Sequence, residues 1–171
     1  RVREKIESGE LNIVPAHRKQ EILNLIGDAE DTSFSRPHET LEWGIPVPDD
    51  PTQTIYVWAD ALTNYISAIG YANETEQFNK LWPADVHLIG KDIVRFHALY
   101  WPAMLLAIGA SLPKAIYVPG FITLEGQKMS KTVGNVIDPF MLVRKYGSDV
   151  VRYFLLREIP SGDDGDFSYK N

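Results

Sequence analysis

Asp85-Val-His-Leu-Ile-Gly90 is an apolar run that ends in glycine, and a helical pattern from Asp92 to Ile108 follows it immediately. This pattern predicts a long helix that is kinked or shifted at Pro102. Thr54–Trp58 and Ala115–Val118 are further runs of strand length, rich in β-branched and aromatic residues. A helix is predicted over Asp60–Ile69, between the first two strands. Alternating strands and helices indicate an α/β fold with a parallel sheet and flanking helices, whose ligands bind beyond the carboxyl ends of the strands.

The remaining segments predict less regular structure. Residues 1–28 predict a helix with a break near Gly9–Pro15, and Ser33–Arg36 is short and extended. The prolines of Trp43–Pro51 argue against regular structure there, and Asp166–Asn171 predicts no further element. A polar connection that allows one helical turn is predicted at Tyr71–Trp82, and a hairpin or loop at Phe121–Met129. Two helices are predicted after the caps Asp138 and Ser148.

Composition excludes several classes of protein. The 171 residues carry 17 Lys and Arg against 23 Asp and Glu, a net charge of −6, and 44% of them are hydrophobic. This share is enough for a packed core, so a disordered chain is excluded. No apolar run approaches the ~20 residues of a membrane helix, and the lack of cysteine excludes disulfides and thiolate metal sites. The acidic balance argues against nucleic-acid binding over the whole surface but allows a local basic loop.

The sharpest candidate site is Lys128-Met-Ser-Lys-Thr132, which we call the lysine loop. Gly126 and Gly134 flank it. Two lysines three positions apart, together with two hydroxyl side chains, can face one polyanion such as a chain of phosphates. On charge alone, a solvated basic loop is the commoner explanation.

Two other groups of residues lie at predicted strand ends. Gly90 allows a ligand to approach the backbone, and Asp92 can either cap a helix or accept a hydrogen bond from a ribose hydroxyl. Trp58, Ala61 and Tyr65 recur at helical spacing. This spacing predicts either a helix face packed on the sheet or an apolar wall for a ligand.

The lysine loop resembles Lys-Met-Ser-Lys-Ser, the second signature of the class I aminoacyl-tRNA synthetases, with Thr132 in place of the final Ser. Gly134-Asn-Val-Ile-Asp-Pro139 matches the usual continuation. Gly90–Met104 resembles the nucleotide-side strand and helix of the methionyl-tRNA synthetase family, and Trp43–Pro48 resembles its bacterial and organellar branch. The motifs occur in order and the resemblance covers nearly the whole chain, which is therefore identified as a member of that family.

The resemblance implies an enzyme that joins methionine to ATP, forming methionyl-adenylate, and then acylates tRNA(Met). The implied catalytic residues are Lys128 and Lys131, which hold the β- and γ-phosphates, and Arg36 near the carboxylate or phosphate. Magnesium is implied to travel with ATP. The implied ATP-binding residues are Gly90, Lys91, Asp92, Lys128, Met129, Ser130, Lys131 and Thr132, and the implied methionine-binding residues are Trp58, Ala61, Tyr65 and His97.

Two features of the family have no match in this sequence. The first class I signature, His-x-Gly-His, and the cysteine knuckle that can hold zinc in the inserted domain are both expected upstream of residue 1. We expect residues 1–36 to end the inserted connective domain and residues 37–125 to form the second half of a Rossmann-like fold. Residues 126–171 are expected to form the signature loop and the first stem-contact helices. The isolated chain is expected to be inactive and to hold no metal.

Alternatives remain open from the sequence. A degenerate synthetase-like module could bind methionine, nucleotide or RNA without catalysis, and an unrelated α/β nucleotide-binding protein could carry a similar loop. The expected location is the bacterial cytoplasm, with the mitochondrion as the alternative, and no membrane partner is expected.

Overall fold

The computed structural model describes residues 1–73 and 75–168. Its helices are α1 (Val2–Glu7), α2 (Arg18–Gly27), α3 (Val57–Ser67), α4 (Glu76–Leu81), α5 (Trp101–Ala107), α6 (Pro139–Tyr146) and α7 (Ser148–Glu158). Its strands are β1 (Asn12–Val14), β2 (Ser35–Pro37), β3 (Pro46–Val47), β4 (Asp50–Ile55), β5 (His87–Leu88), β6 (Ala115–Tyr117), β7 (Ile122–Leu124), β8 (Gln127–Lys128) and β9 (Gly165–Phe167). Short 3-10 turns lie at His38–Thr40, Tyr71–Asn73 and Lys91–Ile93, and a π turn lies at Phe96–Tyr100. Residues 169–171, which end the predicted region 126–171, lie outside the described residues.

A parallel sheet of three strands, in the order β1-β6-β5, lies at the centre of the fold. Ile116 in the middle strand pairs with Ile13 on one side and with His87 on the other. Burial of the apolar side chains around this strand provides the main driving force for the fold. The α/β class is confirmed, and so are the strands predicted within residues 85–90 and 115–118. The core around the sheet includes Ile6, Leu11, Ile22, Leu62, Trp101 and Leu105.

The third strand of the central sheet differs from the one that the sequence predicts. Thr54–Trp58 is predicted to join it, whereas β4 pairs antiparallel with β2 and β3 in a second sheet. Asp49, with a φ of 66°, lies in the turn between β3 and β4, so the proline-rich stretch forms a hairpin and the prediction of irregular structure is wrong. The central sheet takes β1 instead, within the break predicted near Gly9–Pro15, where Leu11 and Ile13 are buried.

One helical run connects β5 to α5. It begins with the 3-10 turn at Lys91–Ile93 and passes through the π turn at Phe96–Tyr100 before it continues as α5. The irregularity that the sequence predicts at Pro102 lies one turn earlier, because Pro102 occupies the first turn of α5, where a missing N–H is tolerated. The π turn carries His97, which is buried.

A third sheet and two helices form the C-terminal part. β7 pairs antiparallel with β8, so a hairpin forms where the sequence predicts a hairpin or loop. β7 also pairs parallel with β9, which the sequence did not predict. The Asp138 cap is confirmed, since its side chain accepts a hydrogen bond from the Phe140 N–H at 2.8 Å. The Ser148 cap is wrong: α7 begins at Ser148 itself, after Gly147 with a φ of 84°. The predicted connection Tyr71–Trp82 contains α4.

The segment 161–164 fastens this third sheet to the central one. The Tyr117 hydroxyl at the end of β6 donates a hydrogen bond to the Ser161 carbonyl. Gly120 packs so closely on the segment that a Cβ there would overlap the Asp163 carbonyl. The Asp164 carboxylate accepts a hydrogen bond from the backbone N–H that follows Gly120, at 2.7 Å. The hairpin that carries the lysine loop is thereby tied to the carboxyl end of β6.

Candidate active site

The first group of predicted site residues is aromatic and lies between α3 and the π turn. α3 begins at Val57, one turn earlier than predicted, and carries Trp58, Ala61 and Tyr65. The π turn carries His97, which is 2% exposed. The Tyr65 hydroxyl and His97 Nε2 are 2.9 Å apart and form a hydrogen bond between residues separated by 32 positions. The structure therefore brings two separate motifs together.

The protonation of His97 follows from its two partners. Its Nδ1 lies 3.0 Å from the Ile93 carbonyl oxygen, which can only accept, so Nδ1 carries the hydrogen. Burial lowers the pKa of His97, although the hydrogen bond to Ile93 opposes this effect, so the imidazole is neutral at pH 7. Nε2 is then an acceptor for the Tyr65 hydroxyl, and burial raises the pKa of Tyr65, which keeps that hydroxyl protonated.

A stacked pair of rings forms the flat face of this aromatic group. The Trp58 and Phe96 ring centroids are 3.8 Å apart with an interplanar angle of 8°, and Trp58 meets His97 edge-to-face at 6.1 Å. Ala61 lies one helical turn beyond Trp58 and is exposed. The result is an uncharged, largely apolar surface bordered by a tyrosine hydroxyl.

His87 lies against Tyr65 on the other side, with ring centroids 4.4 Å apart. It is 5% exposed, and its centroid is 6.2 Å from that of His97. Burial, followed by repulsion from His97, lowers the pKa of His87 to about 4. Sequence reasoning missed His87 and Phe96 as members of the group. Their only signal was position, since His87 lies in the strand before Gly90 and Phe96 directly precedes His97.

The lysine loop follows the β7–β8 hairpin, and Lys128 is the last residue of β8. Lys128 Nζ lies 4.8 Å from the centre of the Phe121 ring, and Lys91 Nζ lies 4.4 Å from the same centre. One aromatic ring therefore contacts ammonium groups from two different predicted motifs, because the face of an aromatic ring attracts cations. In the rest of the loop, Met129 and Ser130 are partly buried, whereas Lys131 and Thr132 are exposed.

The predicted nucleotide-side residues follow β5. Asp92 lies in the 3-10 turn and is exposed, and its Oδ1 is so close to Gly90 that a Cβ on Gly90 would lie 2.7 Å from it. Lys91 forms an ion pair with Asp164. The hydrogen bonds from Lys91 and from the Phe121 N–H hold the pKa of Asp164 below its usual range. Lys91 therefore links the nucleotide side to the segment 161–164.

Arg36 lies on β2, apart from the lysines in sequence. Its guanidinium carbon is 4.0 Å from the centre of the Tyr56 ring, and it donates hydrogen bonds to the Ser33 and Ser35 carbonyls at 3.1 and 2.7 Å. Tyr56 immediately precedes α3. The structure therefore positions Arg36 beside the start of the helix that carries Trp58.

Known proteins share this arrangement of elements. A family model described as class I tRNA synthetases (M) matches residues 2–171. The chain belongs to this family. The structure of Mycobacterium tuberculosis methionyl-tRNA synthetase in complex with methionyl-adenylate superposes with a TM-score of 0.90 at 45% identity, covering 99% of this chain and 33% of that one. The methionine–tRNA ligase of Thermotoga maritima is 54% identical to this chain, over 91% of this chain and 25% of its own length. That of Brucella suis is 53% identical to this chain, over 92% of this chain and 30% of its own length.

Membership of the class I synthetases decides between the sequence-based hypotheses. The methionyl-tRNA synthetase resemblance and its α/β fold are confirmed, and an unrelated nucleotide-binding protein is excluded. The relatives reported above are named as ligases or synthetases, which gives no support to a binding module without catalysis. The chain spans a quarter to a third of the length of these relatives.

Two further findings concern ions and membranes. Across residues 1–73 and 75–168, no group of three or more His, Asp or Glu side chains could hold a metal ion. Among the same residues, no helix is long and apolar enough to cross a membrane.

Proposed function

We propose that the protein containing this chain is a methionine–tRNA ligase, which activates methionine with ATP and transfers the methionyl group to tRNA(Met). The hydrogen bond between Tyr65 and His97 carries the proposal, because it joins α3 to the π turn after β5 and so completes an uncharged aromatic group. The related Mycobacterium tuberculosis synthetase in complex with methionyl-adenylate supports the same choice of ligands.

The methionine side chain is proposed to bind against Trp58, Ala61, Tyr65 and His97. It is long, unbranched and polarizable, and its sulfur makes favourable contacts with aromatic rings. Neutral His97 and protonated Tyr65 present no charge to it, which avoids the cost of burying an unpaired ion. The pocket then selects methionine by its length, its shape and its sulfur contacts. Such a pocket discriminates between amino acids by roughly 1–3 kcal/mol per methylene-sized difference in the side chain.

ATP is proposed to lie between the nucleotide-side residues and the lysine loop. Lys128 and Lys131 have no carboxylate within 4.0 Å among the described residues, so their charge is available to the β- and γ-phosphates. Mg²⁺ is proposed to enter with ATP and to keep most of its ligands from phosphate and water. The residues assigned to ATP are Gly90, Lys91 and Asp92 on the ribose side, and Lys128, Met129, Ser130, Lys131 and Thr132 on the phosphate side.

The proposed reaction has two steps. A carboxylate oxygen of methionine attacks the α-phosphorus of ATP, and the bond from that phosphorus to pyrophosphate breaks as methionyl-adenylate forms. Negative charge grows on the departing pyrophosphate, where Lys128 and Lys131 stabilise it, and Arg36 assists near the carboxylate or phosphate. A terminal ribose hydroxyl of tRNA(Met) then attacks the methionyl carbonyl carbon, and AMP leaves. Positioning and charge supply the catalysis, without a protein nucleophile.

We further assign residues 1–36 to the end of the inserted domain, residues 37–125 to the nucleotide-binding fold and residues 126–171 to the signature loop and stem-contact region. In this assignment the end of the inserted domain supplies β1 as an edge strand to the sheet of the middle region, where it pairs with β6. The cytoplasm of a bacterium is the proposed location, in keeping with the bacterial relatives.

The test uses the full-length protein and its methionine-dependent ATP–pyrophosphate exchange, with separate equilibrium binding of methionine and of ATP. Trp58→Ala should weaken methionine binding about tenfold, because it removes an aromatic wall, and should leave ATP binding within twofold. Trp43→Ala, which removes a tryptophan that is 84% exposed, is the matched control and should change neither affinity. Absence of exchange in the wild-type protein would overturn the proposed function, and weakened ATP binding with unchanged methionine binding would overturn the pocket assignment.

A further inference from the structure

We propose that Asn135 is a positioning residue that holds the lysine loop in the geometry in which its cations meet the phosphates. This inference rests on the function proposed above. It concerns a side chain outside the lysine loop that has no charge and is not among the residues assigned to a substrate.

The Asn135 side chain bridges two backbone groups within the loop. Its Oδ1 accepts a hydrogen bond from the Ser130 N–H at 2.8 Å, and its Nδ2 donates to the Lys128 carbonyl at 3.1 Å. The Gly134 N–H adds a bond to the Ser130 carbonyl at 3.0 Å, with Gly134 at a φ of 75°. A residue with a Cβ rarely adopts such a φ, so glycine at this position supports the turn that returns the chain to Asn135.

The bridge holds backbone groups at and just beyond the end of β8. Lys128 ends that strand, and Asn135 contacts its carbonyl and the Ser130 N–H two residues further on. A primary amide can accept with one atom and donate with the other, so Asn135 acts here as a neighbouring strand would. Aspartate lacks the donor and alanine lacks both groups, so each substitution removes a defined part of the bridge.

The turn of the hairpin is held independently of this bridge. Asp166 Oδ1 accepts hydrogen bonds from the Thr123 hydroxyl at 2.5 Å and from the Gly126 N–H at 2.7 Å, and these bonds hold the pKa of Asp166 below its usual range. β7 also pairs with β9 beside it. The hairpin therefore persists without Asn135, whereas the backbone from Lys128 to Ser130 loses its two side-chain hydrogen bonds.

Loss of the bridge should act on the chemical step, because misplacing a catalytic cation by about 1 Å can cost about a hundredfold in rate. In the full-length protein we expect Asn135→Ala to lower kcat for ATP–pyrophosphate exchange about tenfold to a hundredfold. Asn135→Asp retains the acceptor but turns a carboxylate oxygen towards the Lys128 carbonyl and adds a negative charge beside the lysines, so its kcat should fall at least as far as that of Asn135→Ala. The KM for methionine should stay within twofold in both variants, because the aromatic group is untouched.

Asn12→Ala is the matched control. It removes an exposed asparagine that donates to the Lys114 carbonyl at 3.4 Å, at the start of β1 and away from the loop, and it should leave exchange unchanged. Amide hydrogen exchange reports on the bridge directly, since Ser130 should lose protection in Asn135→Ala and Gly126 should keep it.

The outcomes separate the two proposals. No methionine-dependent exchange by the wild-type protein refutes the function itself. If the wild-type protein is active and the Asn135 variants keep its kcat per folded molecule, the positioning role is refuted. This holds even if the variants melt at a lower temperature. A rise in the methionine KM as large as the fall in kcat also refutes it. If Asn135→Ala does not fold, Asn135→Ser, which is uncharged and too short to span both bonds, decides by the same criteria.

Discussion

His97 is buried, and each of its ring nitrogens has one partner, the Ile93 carbonyl on one side and the Tyr65 hydroxyl on the other. At the scale of single residues, this pair of bonds determines which tautomer faces the pocket. The Ile93 carbonyl requires a hydrogen on Nδ1, and the bare Nε2 then requires a donor from Tyr65. The Tyr65 hydroxyl, and not its ring alone, is therefore expected to contribute to methionine binding.

Tyr65→Phe should weaken methionine binding about tenfold and leave ATP binding within twofold. The substitution keeps the ring but leaves His97 Nε2 buried without a donor, which costs about 1–3 kcal/mol. Isothermal titration of the full-length protein with each ligand measures the effect. Tyr71→Phe is the matched control, because the Tyr71 hydroxyl makes no hydrogen bond within residues 1–73 and 75–168, and its ring packs on Phe78. Equal effects of the two variants would contradict the role of the hydroxyl.

Lys131→Ala should lower the rate of methionine activation about a hundredfold with little change in methionine affinity. Lys131 is exposed at the tip of the lysine loop, and the charge that it meets develops mainly in the transition state. Single-turnover kinetics of adenylate formation separates the rate from the affinity. Lys80→Ala, an exposed lysine in α4, should behave as the wild type. An unchanged rate with weakened methionine binding would assign Lys131 to the wrong role.

At the scale of elements, the helical run after β5 carries residues that we propose for both substrates. Its first turn holds Lys91 and Asp92, and the π turn that follows holds His97. The sequence predicts one long helix here, kinked or shifted at Pro102, because the apolar spacing is helical throughout. A π turn shifts the register of such a helix by one residue without changing its composition, so the spacing gives no signal of it. The tertiary contacts of Phe96 with Trp58 and of His97 with Tyr65 accompany that turn.

Gly120→Ala should destabilise the full-length protein by about 1–3 kcal/mol, because its Cβ would overlap backbone atoms of Asp163 that cannot move aside as a flexible side chain can. The contact joins the end of β6 to the segment 161–164. Thermal unfolding at fixed pH measures the change. Gly27→Ala is the matched control, since its Cβ would meet only the end of the Arg3 side chain at 3.1 Å, and it should be nearly neutral. A Gly120→Ala protein with wild-type stability would contradict the close approach.

At the scale of the whole molecule, two buried neutral histidines couple unfolding to pH. The unfolded chain binds a proton at His87 near the ordinary pKa of about 6.5, whereas the folded chain does so only near pH 4. The contribution of neutral His87 to the free energy of unfolding should therefore be fully present above about pH 6.5. It should be lost as the pH drops towards 4, by at most about 3 kcal/mol. His97 contributes with the same sign, since its pKa is also lowered.

Guanidinium unfolding of the full-length protein at pH 7 and pH 5, followed by tryptophan fluorescence, measures this loss. His87→Leu removes one of the two groups, so the difference in unfolding free energy between the two pH values should shrink, whatever the variant's stability at pH 7. A difference as large as that of the wild type would show that His87 is not the group responsible.

The sequence by itself determined the features that depend on local order. The lysine loop and its continuation through Asp138-Pro139 could be predicted because their residue types and spacing are contiguous, and so could the strands that contain His87 and Ile116. Only the tertiary structure decided that β1 and not β4 completes the central sheet, because a short strand joins whichever edge buries its apolar side chains. It also decided that Tyr65 donates to His97 and that Lys91 and Lys128 share the Phe121 ring. These contacts join residues far apart along the chain, and their geometry follows from packing, on which local spacing carries no information.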